Sequence, residues 1–255
     1  MKYIIIFILS INYSISQNIK VSYVEQNNIS PNSKSATLFS NNLKSIYILH
    51  KQSFVNDSPI IEDQSGEISV IGKYEDISQQ TYLKELNSNL IYKKVKTNKS
   101  YVVVKDSIPP LKWNINYTDQ KKIGKYNCNK ATVNFRGRNY IAWYSTDIPF
   151  ISGPWKFGGL PGLILEVYNT ENDAKYSWIA TNIEFPYQKN VDYKSDLKSF
   201  RILSKKEEVK LNNDYTQKQL NMRKARVNKN ENITFSEIKN SGIELIYEWE
   251  GECEE

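Results

Sequence analysis

Residues 123–167 read IGKYNCNKATVNFRGRNYIAWYSTDIPFISGPWKFGGLPGLILEV, and this stretch decides the fold. Tyr126 to Arg136 and Asn139 to Tyr144 flank Gly137-Arg138, which predicts a β-hairpin. Further on, Gly153-Pro154 and Gly158-Gly159-Leu160-Pro161-Gly162 stand directly before the unbroken apolar run Leu163-Ile164-Leu165. Glycine permits positive φ and close backbone approach, whereas proline fixes φ. The expectation is a rigid, tightly turned loop that enters a buried strand. Trp155 and Phe157 alternate with Lys156, so both aromatics are expected on one side of that loop.

Outward from this stretch the chain reads as more strands. Lys20 to Val24, Ser45 to Leu49, Glu67 to Ile71, Leu90 to Val95 and Tyr101 to Val104 are short runs rich in Ile, Val and Tyr between turn-forming residues. Lys112 to Tyr117 alternates apolar and polar positions, as a half-buried strand does. Leu163 to Tyr168 and Tyr176 to Phe185 form another pair, and Ile243 to Trp249 predicts a final strand. One helix interrupts the series. Ser204-Lys205-Lys206-Glu207 fits a capping box, so a helix begins near Lys205, with Asn212-Asn213-Asp214 as a break. The fold class is mainly β (α+β): a large curved antiparallel sheet with meander connections and a long helix late in the chain. No repeat or linker divides it, so residues 17–255 form one domain.

The N-terminus, MKYIIIFILSINYSISQ, has a single cation (Lys2), an apolar run from Tyr3 to Leu9, and small residues at Ser14 and Ser16. That order predicts a signal peptide over residues 1–16 and a mature chain from Gln17. The apolar run is too short to span a bilayer. Export places the protein in the periplasm or beside the outer membrane. In that oxidising setting Cys128 and Cys253 are candidates for a disulfide. Ten Lys/Arg between Lys198 and Lys229 face only Glu207, Glu208 and Asp214, a local +7 against +6 for the whole chain. The basic balance thus belongs to one solvated segment, which argues against nucleic acid as a partner. One histidine and two cysteines in 255 residues do not make a metal centre, and no phosphate-binding glycine loop is present, so no cofactor is expected.

The run GLPGLILEV, preceded by GPWKFG and by AWYSTDIPF, resembles the signature of the GLPGLI family, exported proteins of Bacteroidota. The resemblance is specific over Trp113 to Glu184. It implies an envelope protein working beside an outer-membrane transport component or a secreted peptide, and it implies no known activity.

Among candidates for chemistry, Cys128 with His50 as base has no supporting spacing, and a buried thiol or disulfide partner is the simpler role. Asp147, Glu166 and Glu184 offer acidic pairs, with Glu166 expected in an ion pair to Arg136 or Arg138. Asp106-Ser107-Ile108 fits a short O-glycosylation pattern. The stronger lead is the crowding of Arg136, Arg138, Trp143, Tyr144, Trp155, Lys156 and Phe157, since arginine and aromatic side chains dominate energetic contacts. If the hairpin and the glycine-rich loop meet on one face, they form a recognition surface. Two functions follow: a non-enzymatic binding or carrier protein for a peptide, client protein or transport partner, and alternatively a periplasmic cofactor-independent hydrolase or peptidase.

Overall fold

The computed structural model describes residues 18–28, 33–41, 43–50, 61–62, 68–69, 80–96, 101–193, 197–226 and 242–250. The expected signal peptide and Cys253 lie outside the described residues. In chain order the strands are β1 (Asn18–Asn27), β2 (Lys34–Ser40), β3 (Lys44–Leu49), β4 (Ile61–Glu62), β5 (Ile68–Ser69), β6 (Gln80–Glu85) and β7 (Leu90–Lys96). They continue as β8 (Tyr101–Ser107), β9 (Gln120–Ile123), β10 (Tyr126–Phe135), β11 (Arg138–Ser145), β12 (Leu163–Asn169), β13 (Tyr176–Tyr187) and β14 (Arg201–Ser204). All but β4 and β5, which pair with each other, form one open sheet in the order β14-β8-β7-β6-β3-β2-β1-β13-β12-β11-β10-β9.

Alternation explains the pairing. On β1, Ile19, Val21 and Tyr23 are buried while Lys20, Ser22 and Val24 are half-exposed, the period-2 pattern of a one-sided sheet. Each neighbouring pair is antiparallel except the outermost, where β14 runs parallel to β8. The sheet is therefore mixed, antiparallel over most of its width as expected, with one parallel pair at its edge. A strand that returns to the edge after the long excursion from β13 is free to take either direction.

The sheet curls around its own β11–β12 connection, residues 146–162. Ser152 on this loop shares a 2.5 Å hydrogen bond with Ser40 on β2. Trp155 stacks on Trp178 of β13 at 5.6 Å and meets Phe135 of β10 at 6.0 Å. Lys84 of β6 donates to the carbonyl oxygen of Phe157. In a flat sheet β6 and β10 would lie roughly 34 Å apart at ~4.8 Å per strand, so one short loop reaches both only because the sheet is strongly bent. Ile148, Phe150, Trp155, Phe157 and Leu160 are all buried. The loop plugs the concave face.

Other expectations are corrected. Ile243 to Trp249 is not a strand: it runs as coil into a short 3-10 turn at Glu248–Glu250. Its amides go to the hairpin tip, with Leu245 N–H donating to Arg136 O at 2.9 Å, and Tyr247 stacks on Trp249 at 4.6 Å. Lys112 to Tyr117 keeps a single bridge, Asn114 to Thr132. Within the expected strand Glu67 to Ile71, Ile68–Ser69 is strand, and the other three residues lie outside the described residues. The helix α1 (Lys205–Arg226) passes through Asn212-Asn213-Asp214 unbroken; Thr216 Oγ1 bonds to Asn212 O there, so the turn keeps its ladder. Its start is as expected, with Glu207 N–H donating to Ser204 Oγ at 3.2 Å and Ser204 N–H donating to Glu207 Oε2 at 2.7 Å. Among the described residues no helix is long and apolar enough to cross a membrane.

Candidate functional site

The glycine-rich loop is built to be buried. Ser152 and Gly158 form an isolated bridge, closed by the Phe157 N–H to Pro154 O bond at 3.0 Å. Trp155 sits inside this turn at φ 47°. Such a conformation costs a bulky residue of order 1–3 kcal/mol and persists only where packing over-determines it. Here the packing is dense: Phe157 lies edge-on to Tyr140 at 4.8 Å, to Trp155 at 5.4 Å and to Trp178 at 5.5 Å. A Cβ on Gly158 would stand 2.9 Å from the Ile151 carbonyl oxygen and 3.3 Å from Lys84 Nζ. The glycine at this position lets the lysine reach the loop backbone.

The recognition surface expected from the sequence is not assembled, because its members are interior. Trp155 and Phe157 are 4% and 0% exposed, and Tyr144 is buried. Arg138, fully buried, donates to the Gly242 carbonyl at 2.8 Å and holds the C-terminal segment. Trp143 stands apart on the outer face under Lys121, 4.6 Å from its ring. Arg136 and Lys156 do come together, but as structural cations. Arg136 grips Asp106 with two bonds of 2.8 and 2.9 Å and also pairs with Glu244. Lys156 reaches Asp106 at 2.6 Å and Glu244 at 2.5 Å. Burial alone would push Asp106 and Glu244 up. For Asp106 the Arg136 hydrogen bond and the Lys156 charge outweigh it, and for Glu244 the Lys156, Arg136 and Lys205 charges do; both are held at about 2. Ser107 itself is exposed at the end of β8, between the buried Asp106 and Ile108.

The catalytic candidates are likewise dispersed. Cys128 is a free, buried cysteine whose thiol is pushed up to about 11 by burial, the opposite of nucleophile activation. His50 is bonded to Thr37 at 2.8 Å and follows β3, which five strands separate from β10. Glu166 pairs with Lys121 at 2.6 Å, not with an arginine, and Glu184 pairs with Lys20 at 2.5 Å. Asp147 is exposed.

What the structure does form is a cleft of about 160 Å³ at the rim of the plug. Its walls include Lys84 from β6, Ile108 to Leu111 after β8, and Ile151, Lys156 and Gly158 from the loop. Lys84 is 7% exposed, and its ammonium has one hydrogen bond, to the Phe157 carbonyl. The remaining charged side chains on the cleft are Lys156, already balanced by Asp106 and Glu244, and Glu85, which accepts from Ser88 Oγ at 3.0 Å. Among the described residues Lys84 forms no ion pair, and burial drives it down from 10.5 to about 7. Sequence reasoning missed Lys84 because Gln80–Glu85 is not among the expected strands, and only the plug buries the inner face of this strand. It missed Asp106 and Glu244 because their burial, too, comes from tertiary packing.

Lys84 yields a pH prediction. From pH 7 to 10.5 the unfolded chain holds a proton that the folded protein has released. The wild type should therefore gain stability relative to Lys84→Met as pH rises through that window, by ~1.4 kcal/mol per unit. Below pH 7 the difference should be flat. Urea melts of both proteins from pH 6 to 9 check this, and parallel curves throughout would mean that Lys84 titrates as a surface lysine.

Residues 134–166 match the model of a family described as a protein of unknown function (Porph_ging). The match covers the hairpin tip, β11, the plug and the first half of β12, so the segment held in common is the one that fills the bowl. No curated protein matches the chain. Two crystal forms of PNGF-II are similar in fold, with TM-scores of 0.51 and 0.50 at 17% and 18% identity. Each alignment covers 74% of this chain, which spans only 31% and 32% of those chains. At such identity the likeness concerns the fold alone.

Proposed function

We propose that this chain is an exported cell-envelope protein, as the GLPGLI resemblance implies, and that it binds a ligand or partner without transforming it. The observation that carries the reading is the preformed cleft at the rim of the plug, walled by the buried Lys84 and by the apolar segment after β8. A cleft fixed by a close-packed loop gives a binding site that pays little reorganisation on capture. The charge–apolar–small order of residues 1–16 supports export to the periplasm or the outer-membrane side. A peptide, a client protein or a transport component is the class of partner this location offers.

Export has a direct test. Expressed from its full reading frame in a bacterial host with an outer membrane, the protein should appear in the periplasmic or envelope fraction, and mass spectrometry should find Gln17 at its N-terminus. Intact Met1 and a cytoplasmic location would overturn the compartment. Binding at the cleft is tested by the experiment that follows.

A further inference from the structure

We propose that the Lys84 cleft captures a carboxylate borne on a short apolar group, such as the last residue of a peptide; this inference rests on the reading of the cleft as a binding site. Three observations lead to it. First, an ammonium offers three donors, and Lys84 spends one on the Phe157 carbonyl. Its neighbour Lys156, by contrast, is engaged by both Asp106 and Glu244. The uncompensated positive charge at the site is therefore at Lys84, and an entering anion supplies the counter-ion that the fold withholds. A charge so placed is costly unless paired.

Second, much of the surrounding wall is apolar, with Glu85, Asn89 and Lys156 as its other polar side chains. Ile91, Ile108, Pro109, Leu111 and Ile151 line the same space, and Ile151 is 44% exposed at its mouth. A hydrocarbon group beside the carboxylate has surface to cover, worth about 25 cal/mol per Å² buried. An inorganic anion would leave that wall unused.

Third, the size sets an upper limit. The cleft measures about 160 Å³. That holds a carboxylate with a small branched side chain and excludes a folded domain or a whole sugar chain. The ligand enters by its end. The backbone at Gly158 and Gly159 lines the cleft beside Lys84, where any side chain at Gly158 would crowd Lys84 Nζ at 3.3 Å.

The test uses the purified protein at pH 6.5, titrated calorimetrically and by amide NMR with N-acetyl-Ala-Leu, with its C-terminal amide, and with isovalerate. The free acid should bind and shift the Gly158 and Gly159 amides, and the amide should bind at least tenfold more weakly. Lys84→Met should lose tenfold or more for the acid and little for the amide. Ile151→Glu, a change at a half-open surface position, should place a competing carboxylate in the cleft and block the acid while leaving the fold intact. Affinity should also fall from pH 6.5 to pH 9 as Lys84 discharges. Stronger binding of the acetylated dipeptide than of isovalerate identifies a peptide terminus as the source, and equal binding identifies a small organic acid; both support the carboxylate assignment. Equal affinity for acid and amide overturns that assignment while the cleft reading stands. No binding of any probe at the cleft overturns both.

Discussion

Gly162→Ala is expected to abolish the native fold. A Cβ at this position would stand 2.6 Å from the Ser145 carbonyl carbon and 3.0 Å from Thr146 Cα, closer than real side-chain contacts come. The obstruction is backbone at the end of β11, which cannot rotate aside as a side chain could. Relief requires β11 and β12 to part where the plug leaves and re-enters the sheet, and that would uncover Phe157, Leu160 and Leu163, each 1% exposed or less. The loss should exceed the about 5–15 kcal/mol by which a domain of this kind is stable. Circular dichroism and thermal melts of refolded protein check it. Gly124→Ala is the control: nothing lies within 4 Å of its Cβ, and only its φ of 58° resists, a cost of about 1–2 kcal/mol. A cooperative melt from Gly162→Ala near that of the control would show that the β11–β12 junction is looser than the structure has it.

Asp106→Asn should cost about 3–5 kcal/mol, the usual effect of breaking a buried ion pair from one side. The substitution keeps the shape and removes the charge. It strips Arg136 of a bidentate partner at 2.8 and 2.9 Å and Lys156 of one at 2.6 Å, leaving two buried cations to Glu244 and Glu248. The network they form ties β8, the β10–β11 turn, the plug, the start of α1 through Lys205, and the C-terminal segment into one unit. Its failure should therefore appear first as faster hydrogen exchange at the Leu245 amide, which is held by Arg136 O. The acid limb gives an independent reading. Asp106 and Glu244 have folded values of about 2 against ordinary values of 3.8 and 4.5. Their contribution is complete above pH 4.5 and is lost as pH falls toward 2, because the unfolded chain then takes up protons that the folded one refuses. Asp106→Asn should flatten that limb. A urea midpoint within error of wild type would mean that the pairs are worth no more than surface ones.

Much of the fold was legible from local pattern. The hairpin expected around Gly137-Arg138 follows from alternation, but its tip lies one residue earlier, at Arg136 (φ 47°) and Gly137 (φ 82°), with Arg138 already paired to Phe135. The helix start at Lys205 follows from a four-residue hydrogen-bonding motif that needs no partner elsewhere. The final strand expected at Ile243 to Trp249 failed for a tertiary reason: the residues alternate as a strand does, but Glu244 and Glu248 are drawn to Arg136. The aromatic–basic cluster was expected to face outward, and most of its members are buried. Trp155 and Phe157 look alike in sequence whether they meet a ligand or Trp178.

The amino-acid sequence alone determined the elements whose causes are local: the strand periodicity, the hairpin, the capped helix and the tight loop that glycine and proline impose. Only the tertiary structure decided which way that loop turned. Once it folds into the bowl, the family-matched segment becomes core, Arg136 and Lys156 become buried counter-ions, and Lys84, unremarkable on its strand, is enclosed beside a cleft. The physical reason is that burial and pairing depend on side chains brought together across distant strands, and no spacing within one segment encodes which of them will meet.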